Sequence, residues 1–215
     1  MQLSVDSPQA EPHAFRIRPA RMDDIYPILH IHREAFSDKF GAAFGARGAE
    51  RGVEAMAEAW RRQGVSALRG MLVAVVDDQV VGTISLRTWE MGSESSGAAE
   101  IAFHNVLGAW GALRSIFALS LLEHRIDRSE GYITDVAVQS AYRRQGIAGA
   151  LLERVEQEAR LRGKRFLGLY VSASNKSAQR VYERAGFVRR RTRRSWTAGW
   201  MLRQHAWLYM VKELR

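Results

Sequence analysis

A chain of 215 residues, 47% hydrophobic and 26% charged, has the size and composition of one globular domain with a full core. It contains no cysteine, which excludes disulfides, thiolate nucleophiles and cysteine-ligated metals. A net charge of +9 suits an anionic ligand or a nucleic acid, but only four of the 32 basic residues are lysines, and such an arginine bias also follows from coding composition alone.

All four prolines fall within the first 27 residues, and the polar segment 1–13 reads as a flexible tail. Nothing from Met1 to Phe15 has the form of a secretory leader. The longest apolar stretch, Ile116 to Leu122, is too short to span a bilayer, so a cytoplasmic protein with no membrane association is expected. Phe15 and Ile17 alternate with Arg16 and Arg18 as a short strand. Asp23 or Asp24 is placed to cap a helix carrying Ile25, Ile28, Leu29, His32 and Phe36 on one face. Gly41, Gly45 and Gly48 loosen the link to a second helix around Val53, Met56, Ala57 and Trp60. Residues 71–76 and 79–87 are strands of a hairpin turning at Asp77-Asp78. A glycine- and serine-rich loop at 92–97 leads to Trp110, Leu113, Ile116, Phe117 and Leu121. Their spacing predicts an amphipathic helix over 109–127, with three readings: it lines an acceptor site, it forms a homodimer surface, or it simply packs. Strand 131–138, helix 147–162, strand 166–171, helix 176–185, strand 187–192 and strand 207–211 complete the chain. The order predicts one α/β domain over residues 14–215 with a mixed sheet, and a loop and helix inserted at about 88–130.

Two segments carry chemistry. The strand ending at Val138 runs into Arg143-Arg144-Gln145-Gly146-Ile147-Ala148, where a helix begins. A glycine-bearing turn feeding a helix N-terminus gathers free backbone N–H groups and the positive end of the helix dipole around one point, which suits a diphosphate. Gly146 and Ala148 leave room for an anion, and Arg143 and Arg144 add charge at the rim. The pattern is neither a dinucleotide fingerprint nor a Walker loop, and taken alone it also reads as a helix start with solvated arginines. Strand 166–171 is followed by a second loop and helix, with Asn175 near the N-cap, Ala178, Val181, Tyr182 and Ala185 on the inner face, and Gly186 as the stop. If the two strands are parallel neighbours, both helix entrances share one sheet edge. Tyr182 there is either a core residue or a proton donor.

Val138, Arg143-x-x-Gly146-x-Ala148, Leu151-Leu152, Asn175, Ala178, Tyr182 and Gly186-Phe187 together resemble the GNAT superfamily of N-acetyltransferases in residue type and spacing. The resemblance covers about residues 131–188; the inserted segment 88–130 is less typical. It implies a single GNAT-like α/β domain, a mixed central sheet with helices on both faces. It also implies acetyl-CoA as co-substrate, without a metal. The backbone of Val136, Ala137 and Val138 would then hold the pantetheine arm. Arg143, Arg144, Gln145, Gly146, Ile147, Ala148 and Gly149 would take the diphosphate, and Asn175 would touch the cofactor arm. Tyr182 would protonate the departing thiolate.

Acyl transfer also needs an oxyanion stabiliser and a base. Backbone N–H groups near a bulge after Val136 are candidates for the first. Asp135 is the first choice for the second, its alternative being a charged residue on a solvated strand face. Glu100 and His104 stand behind it. The expected acceptor is the primary amine of a small molecule. Alternatives are a protein N-terminus or lysine, as for ribosomal-protein acetyltransferases, or a non-catalytic module binding CoA or nucleic acid. Arg189, Arg191 and Arg193, with Trp196 and Trp200 beyond, would serve the nucleic-acid reading, but one solvated strand face before a hairpin loop explains them more simply. No His, Asp and Glu cluster has metal-ligand spacing.

Overall fold

The computed structural model of the chain describes residues 14–37, 44, 49–92, 105, 124–194 and 206–214. Among them are strands β1 (Arg16–Pro19), β2 (Met71–Val76), β3 (Gln79–Thr88), β4 (Glu130–Val138), β5 (Phe166–Ser172), β6 (Val188–Arg194) and β7 (Ala206–Glu213). The helices are α1 (Ile25–Ala35), α2 (Ala49–Gln63), α3 (Ile147–Leu161) and α4 (Lys176–Arg184). The seven strands form one sheet in the order β1-β2-β3-β4-β5-β7-β6. Every pairing is antiparallel except β4 with β5. The mixed sheet and the parallel placing of the two chemistry-bearing strands are as expected.

Side-chain alternation divides the strands between two cores. Leu72, Ala74, Ile84, Leu86, Ile133, Leu167, Leu169, Leu208 and Met210 pack with Ile147, Leu151, Val155 and Ala159 of α3 and Tyr182 of α4. Met71, Val73 and Val75 turn to the opposite face, against Ile25, Ile28 and Leu29 of α1 and Val53 and Ala57 of α2. Because helices cover both sides of β2, all six of its residues are buried, which is why it reads as an unbroken apolar run. Asp77 and Asp78 turn the β2–β3 hairpin with φ of 45° and 62°, the paired left-handed conformation that matches strand twist. Gly163 (φ 67°) and Gly186 (φ 90°) end α3 and α4 where a side chain would be strained.

Three details differ from the sequence expectation. Asp24 occupies the N-cap of α1 without capping it, because its carboxylate accepts two bonds from Arg18 (2.6 and 2.9 Å) and one from the Arg21 N–H (2.7 Å). The ion pair with Arg18, on β1, outcompetes the local cap. On β6 a bulge inserts Arg190 between Arg189 (opposite Met210) and Arg191 (opposite Tyr209). The arginines therefore do not share one face: Arg189 goes to the α3/α4 side, and Arg191 and Arg193 to the other. Residues 124–127, expected to end the helix over 109–127, have no helical structure. The rest of that segment lies outside the described residues, as do the tail 1–13, the three loop glycines, Glu100, His104, Trp196 and Trp200.

Candidate functional site

β4 positions the site by leaving its neighbour. It pairs with β5 from Glu130–Phe166 to Ile133–Leu169 and no further, although β4 continues to Val138 and β5 to Ser172. The departure coincides with a bulge on the other side of β4. Ser85 faces Thr134 and Thr83 faces Ala137, so Ile84 is opposed by both Asp135 and Val136. Asp135 has φ of 56°, left-handed and unusual for a residue other than glycine. A bulge bends and overtwists its strand. Here it turns β4 away from β5 and opens a slit along residues 134–138, whose backbone groups on that side have no strand partner among the described residues. Val136, Ala137 and Val138 all lie in this stretch. The bulge falls at Asp135 and Val136, rather than after Val136 as the sequence had suggested.

At the end of β4 a short helical turn, Ser140–Tyr142, leads into the loop. Glu34 of α1 clamps that turn, accepting from the Ser140 N–H (2.9 Å) and from Arg143 (3.5 Å). The Arg143 Nε donates to the Val138 carbonyl (3.0 Å), so this arginine fastens the loop to its own strand and to α1. Arg144 is exposed and makes no ion pair among the described residues, which leaves it as the rim cation. Arg144 (φ 64°) and Gly146 (φ 81°) turn the backbone so that successive N–H groups point outward. The N–H groups of Arg144, Gln145, Gly146, Ile147, Ala148 and Gly149 have no acceptor among the described residues. The first satisfied donor is Ala150, bonded to the Gly146 carbonyl at 3.1 Å. A Cβ at Gly146 or Gly149 would meet nothing within 4 Å. Six consecutive free donors, a helix N-terminus and open space in front of the glycines form a cradle for a diphosphate, and the residues present fit that group.

α4 opens onto the same sheet edge. Asn175 caps it, its Oδ1 accepting from the Ala178 N–H and the Ser177 hydroxyl, both at 3.0 Å. Gln179, which the sequence gave no reason to select, ties α4 to the end of β5 by donating to the carbonyls of Ser172 (2.9 Å) and Ala173 (3.0 Å). Tyr182 is 8% exposed, with its ring 6.0 Å from that of Phe187. Burial pushes its phenol well up, so the proton stays in place through the physiological range. Asp135 is half-buried, and its Oδ2 accepts from the Thr134 hydroxyl at 2.8 Å.

A second group of side chains, not singled out from the sequence, occupies the α1/α2 face of β4, β5 and β7. Glu130, 2% exposed, accepts from His124 Nε2 (2.9 Å), the Tyr209 hydroxyl (2.6 Å) and the Asp127 N–H (3.2 Å). Burial alone would raise its carboxyl; the bonds from His124 and Tyr209 outweigh burial and hold it below the usual carboxylate value. The His124 ring lies 4.3 Å from that of Tyr132 and 5.6 Å from those of Tyr170 and Tyr209. Arg191 donates to the Tyr170 hydroxyl at 2.9 Å and stands 5.1 Å above the Tyr209 ring. A polar signal was present in the sequence, Glu130 and Tyr132 alternating at the start of an apolar strand, but its partners lie up to 79 residues away. Among the described residues no three His, Asp or Glu side chains are grouped as metal ligands.

A mixed sheet split between two parallel strands, with a donor-lined loop at the split, is the architecture of an acyl-CoA-dependent transferase fold. The model of the Acetyltransferase (GNAT) family matches residues 26–187, and the chain belongs to that family. Over 58 residues it is 45% identical to acetyltransferase Atu2258 of Agrobacterium fabrum, covering 27% of this chain and 41% of that protein. Over 67 residues it is 40% identical to the [ribosomal protein bS18]-alanine N-acetyltransferase of Escherichia coli, covering 31% and 45%. The chain thus spans less than half the length of these curated relatives. Solved structures extend the likeness of fold to nearly the whole chain. An acetyltransferase crystal structure superposes with a TM-score of 0.66 at 22% identity, covering 93% of this chain and 100% of the other. The PaiA N-acetyltransferase of Thermoplasma acidophilum, in complex with coenzyme A, gives 0.59 at 15% identity over 93% and 99%. YncA of Salmonella typhimurium, solved with acetyl-CoA, gives 0.57 at 18% identity over 94% and 95%.

Proposed function

We propose that this protein transfers the acetyl group of acetyl-CoA to a primary amine of a small molecule. The observation that carries the reading is the run of six N–H groups, from Arg144 to Gly149, without an acceptor among the described residues, beside the slit between β4 and β5. Two solved neighbours of the same fold hold CoA or acetyl-CoA, which supports the choice of ligand. Bound acetyl-CoA supplies the activated thioester. The loop from Arg143 to Gly149 holds its diphosphate, with Arg144 adding charge and Arg143 keeping the loop in shape. Along Val136, Ala137 and Val138 the backbone that faces the slit takes the pantetheine arm in place of β5, and the Asn175 amide NH2, left over from capping, faces the same arm. N–H groups at the bulge stabilise negative charge on the carbonyl oxygen. Asp135 takes the proton from the acceptor amine, directly or through water. Tyr182, which burial keeps protonated, gives its proton to the thiolate.

The bS18-alanine N-acetyltransferase relatives favour a second reading, a protein N-terminus as acceptor. One experiment separates them: purified protein with acetyl-CoA, free CoA release followed by a thiol reagent, and small amines run beside a peptide with an N-terminal alanine. Release that depends on the small amines is expected. Release with the peptide alone would transfer the reading to protein N-termini, and calorimetry showing no acetyl-CoA binding would overturn both.

A further inference from the structure

The tyrosine and arginine face supplies a statement about the acceptor itself, resting on the acetyltransferase reading above. Leu86 and Ile133, paired across β3 and β4, face α3, so Tyr132 faces the other way, three residues before Asp135 on the same strand. Across β5 and β7 the same face carries Tyr170 and Tyr209, which are paired in register, and then Arg191 on β6. Arg193, two residues beyond Arg191, returns to this face opposite Trp207.

The two arginines are not equivalent. Arg191 is committed to the Tyr170 hydroxyl and the Tyr209 ring. Arg193 is exposed and makes no hydrogen bond or ion pair with any described residue. Burial raises the Tyr132 phenol, Tyr170, Glu130 and then Asp135 raise it further, and Arg193 lowers it. One phenol therefore lies within the fields of the candidate base and of the free guanidinium.

We propose that the acceptor carries a carboxylate as well as its amine, the amine lying at Asp135 and the carboxylate on Arg193. A guanidinium with no partner among the described residues offers the planar fork that a carboxylate accepts with two parallel bonds. Three strand spacings, ~14 Å in all, separate β4 from β6 where the strands are paired, and the gap is wider at Asp135, where β4 has left β5. Even with the arginine leaning inward, the two groups of the acceptor stand several bonds apart, further than in an α-amino acid. A side-chain amine on a molecule with a free carboxylate has that form.

The test compares Nα-acetyl-lysine with its carboxamide, which differ only in the carboxylate, while calorimetry follows acetyl-CoA binding separately. The wild-type protein is expected to favour the carboxylate by roughly tenfold or more in kcat/KM, mostly through KM, equivalent to about 1.4 kcal/mol. Arg193→Gln should bring the carboxylate down to the level of the carboxamide. Arg194→Gln, which removes the same charge from the next position on the other face, should keep the preference. Equal use of the two acceptors by the wild-type protein, no turnover of either with acetyl-CoA bound, or a preference that survives Arg193→Gln would each overturn the proposal. Absence of acetyl-CoA binding would instead overturn the reading on which it rests.

Discussion

The two candidate binding regions beside β4 are built in opposite ways. Toward α3, the cradle is made of backbone: six N–H groups from consecutive residues, left free by one turn of the chain and one helix start. Across β5, β7 and β6, the surface is made of side chains drawn from four strands and held by one buried carboxylate. The first arrangement tolerates exchange of most side chains provided none fills the space before the glycines. The second depends on the identity of each residue. A ligand common to a whole family suits the first, and a ligand particular to one member suits the second.

The largest expected effect tests the backbone side. Gly146→Glu places a carboxylate where the proposed diphosphate would sit, on a residue with φ of 81° that favours glycine. Acetyl-CoA affinity should fall by roughly 10³-fold or more, about 4 kcal/mol, with folding retained by circular dichroism. Undiminished affinity in calorimetry would mean that the free donors serve only as a helix start and that the contrast between the two sides is mistaken.

Tyr182→Phe asks whether the backbone side needs one side chain for chemistry. The ring remains against Phe187 and only the hydroxyl is lost. The maximal rate should drop by roughly 10²-fold, the low end for general acid catalysis, while acetyl-CoA affinity stays within about twofold. An unchanged rate, under conditions where chemistry limits turnover, would make Tyr182 a core residue only.

Glu130→Gln tests the side-chain face. The shape is kept, but the charge that draws His124 and Tyr209 inward is lost, so stability should fall by about 2 kcal/mol in denaturant titration. Because the folded carboxyl lies below its unfolded value, its contribution is complete above ~pH 4.3 and is lost as pH falls through the folded value. The gap between wild type and variant should therefore narrow in acid. A gap independent of pH would show that packing, rather than charge, holds the face together.

These differences also explain what the sequence disclosed. The loop was legible because its donors, its glycine and its strand fall within a dozen residues, so local turn chemistry fixes their relation. Gly186 after α4 was legible for the same reason. Glu130 was not, since its meaning depends on Tyr209, which reaches it only once β5 and β7 have paired. The bulge at Asp135 was anticipated nearby but misplaced, because its position is set by the register against β3 and not by any residue in β4. On β6, alternation predicted one arginine face, and a single inserted residue divided it.

The smallest effect concerns the seam between the two regions. Thr83 pairs with Ala137 beside the bulge, is fully buried, and its hydroxyl has no partner among the described residues. A buried hydroxyl left unpaired costs free energy, and an apolar replacement of the same shape removes that cost. Valine keeps the β-branch and its strand preference. Thr83→Val should therefore raise stability by about 0.5–1 kcal/mol, or roughly 1–4 °C in Tm for a chain of this size, with acetyl-CoA affinity and turnover unchanged. If the variant instead melts lower and turns over more slowly, the hydroxyl holds a water or the strand at the bulge. The seam would then belong to the side-chain region, and the boundary between the two modes of recognition would run through β3 rather than along β4.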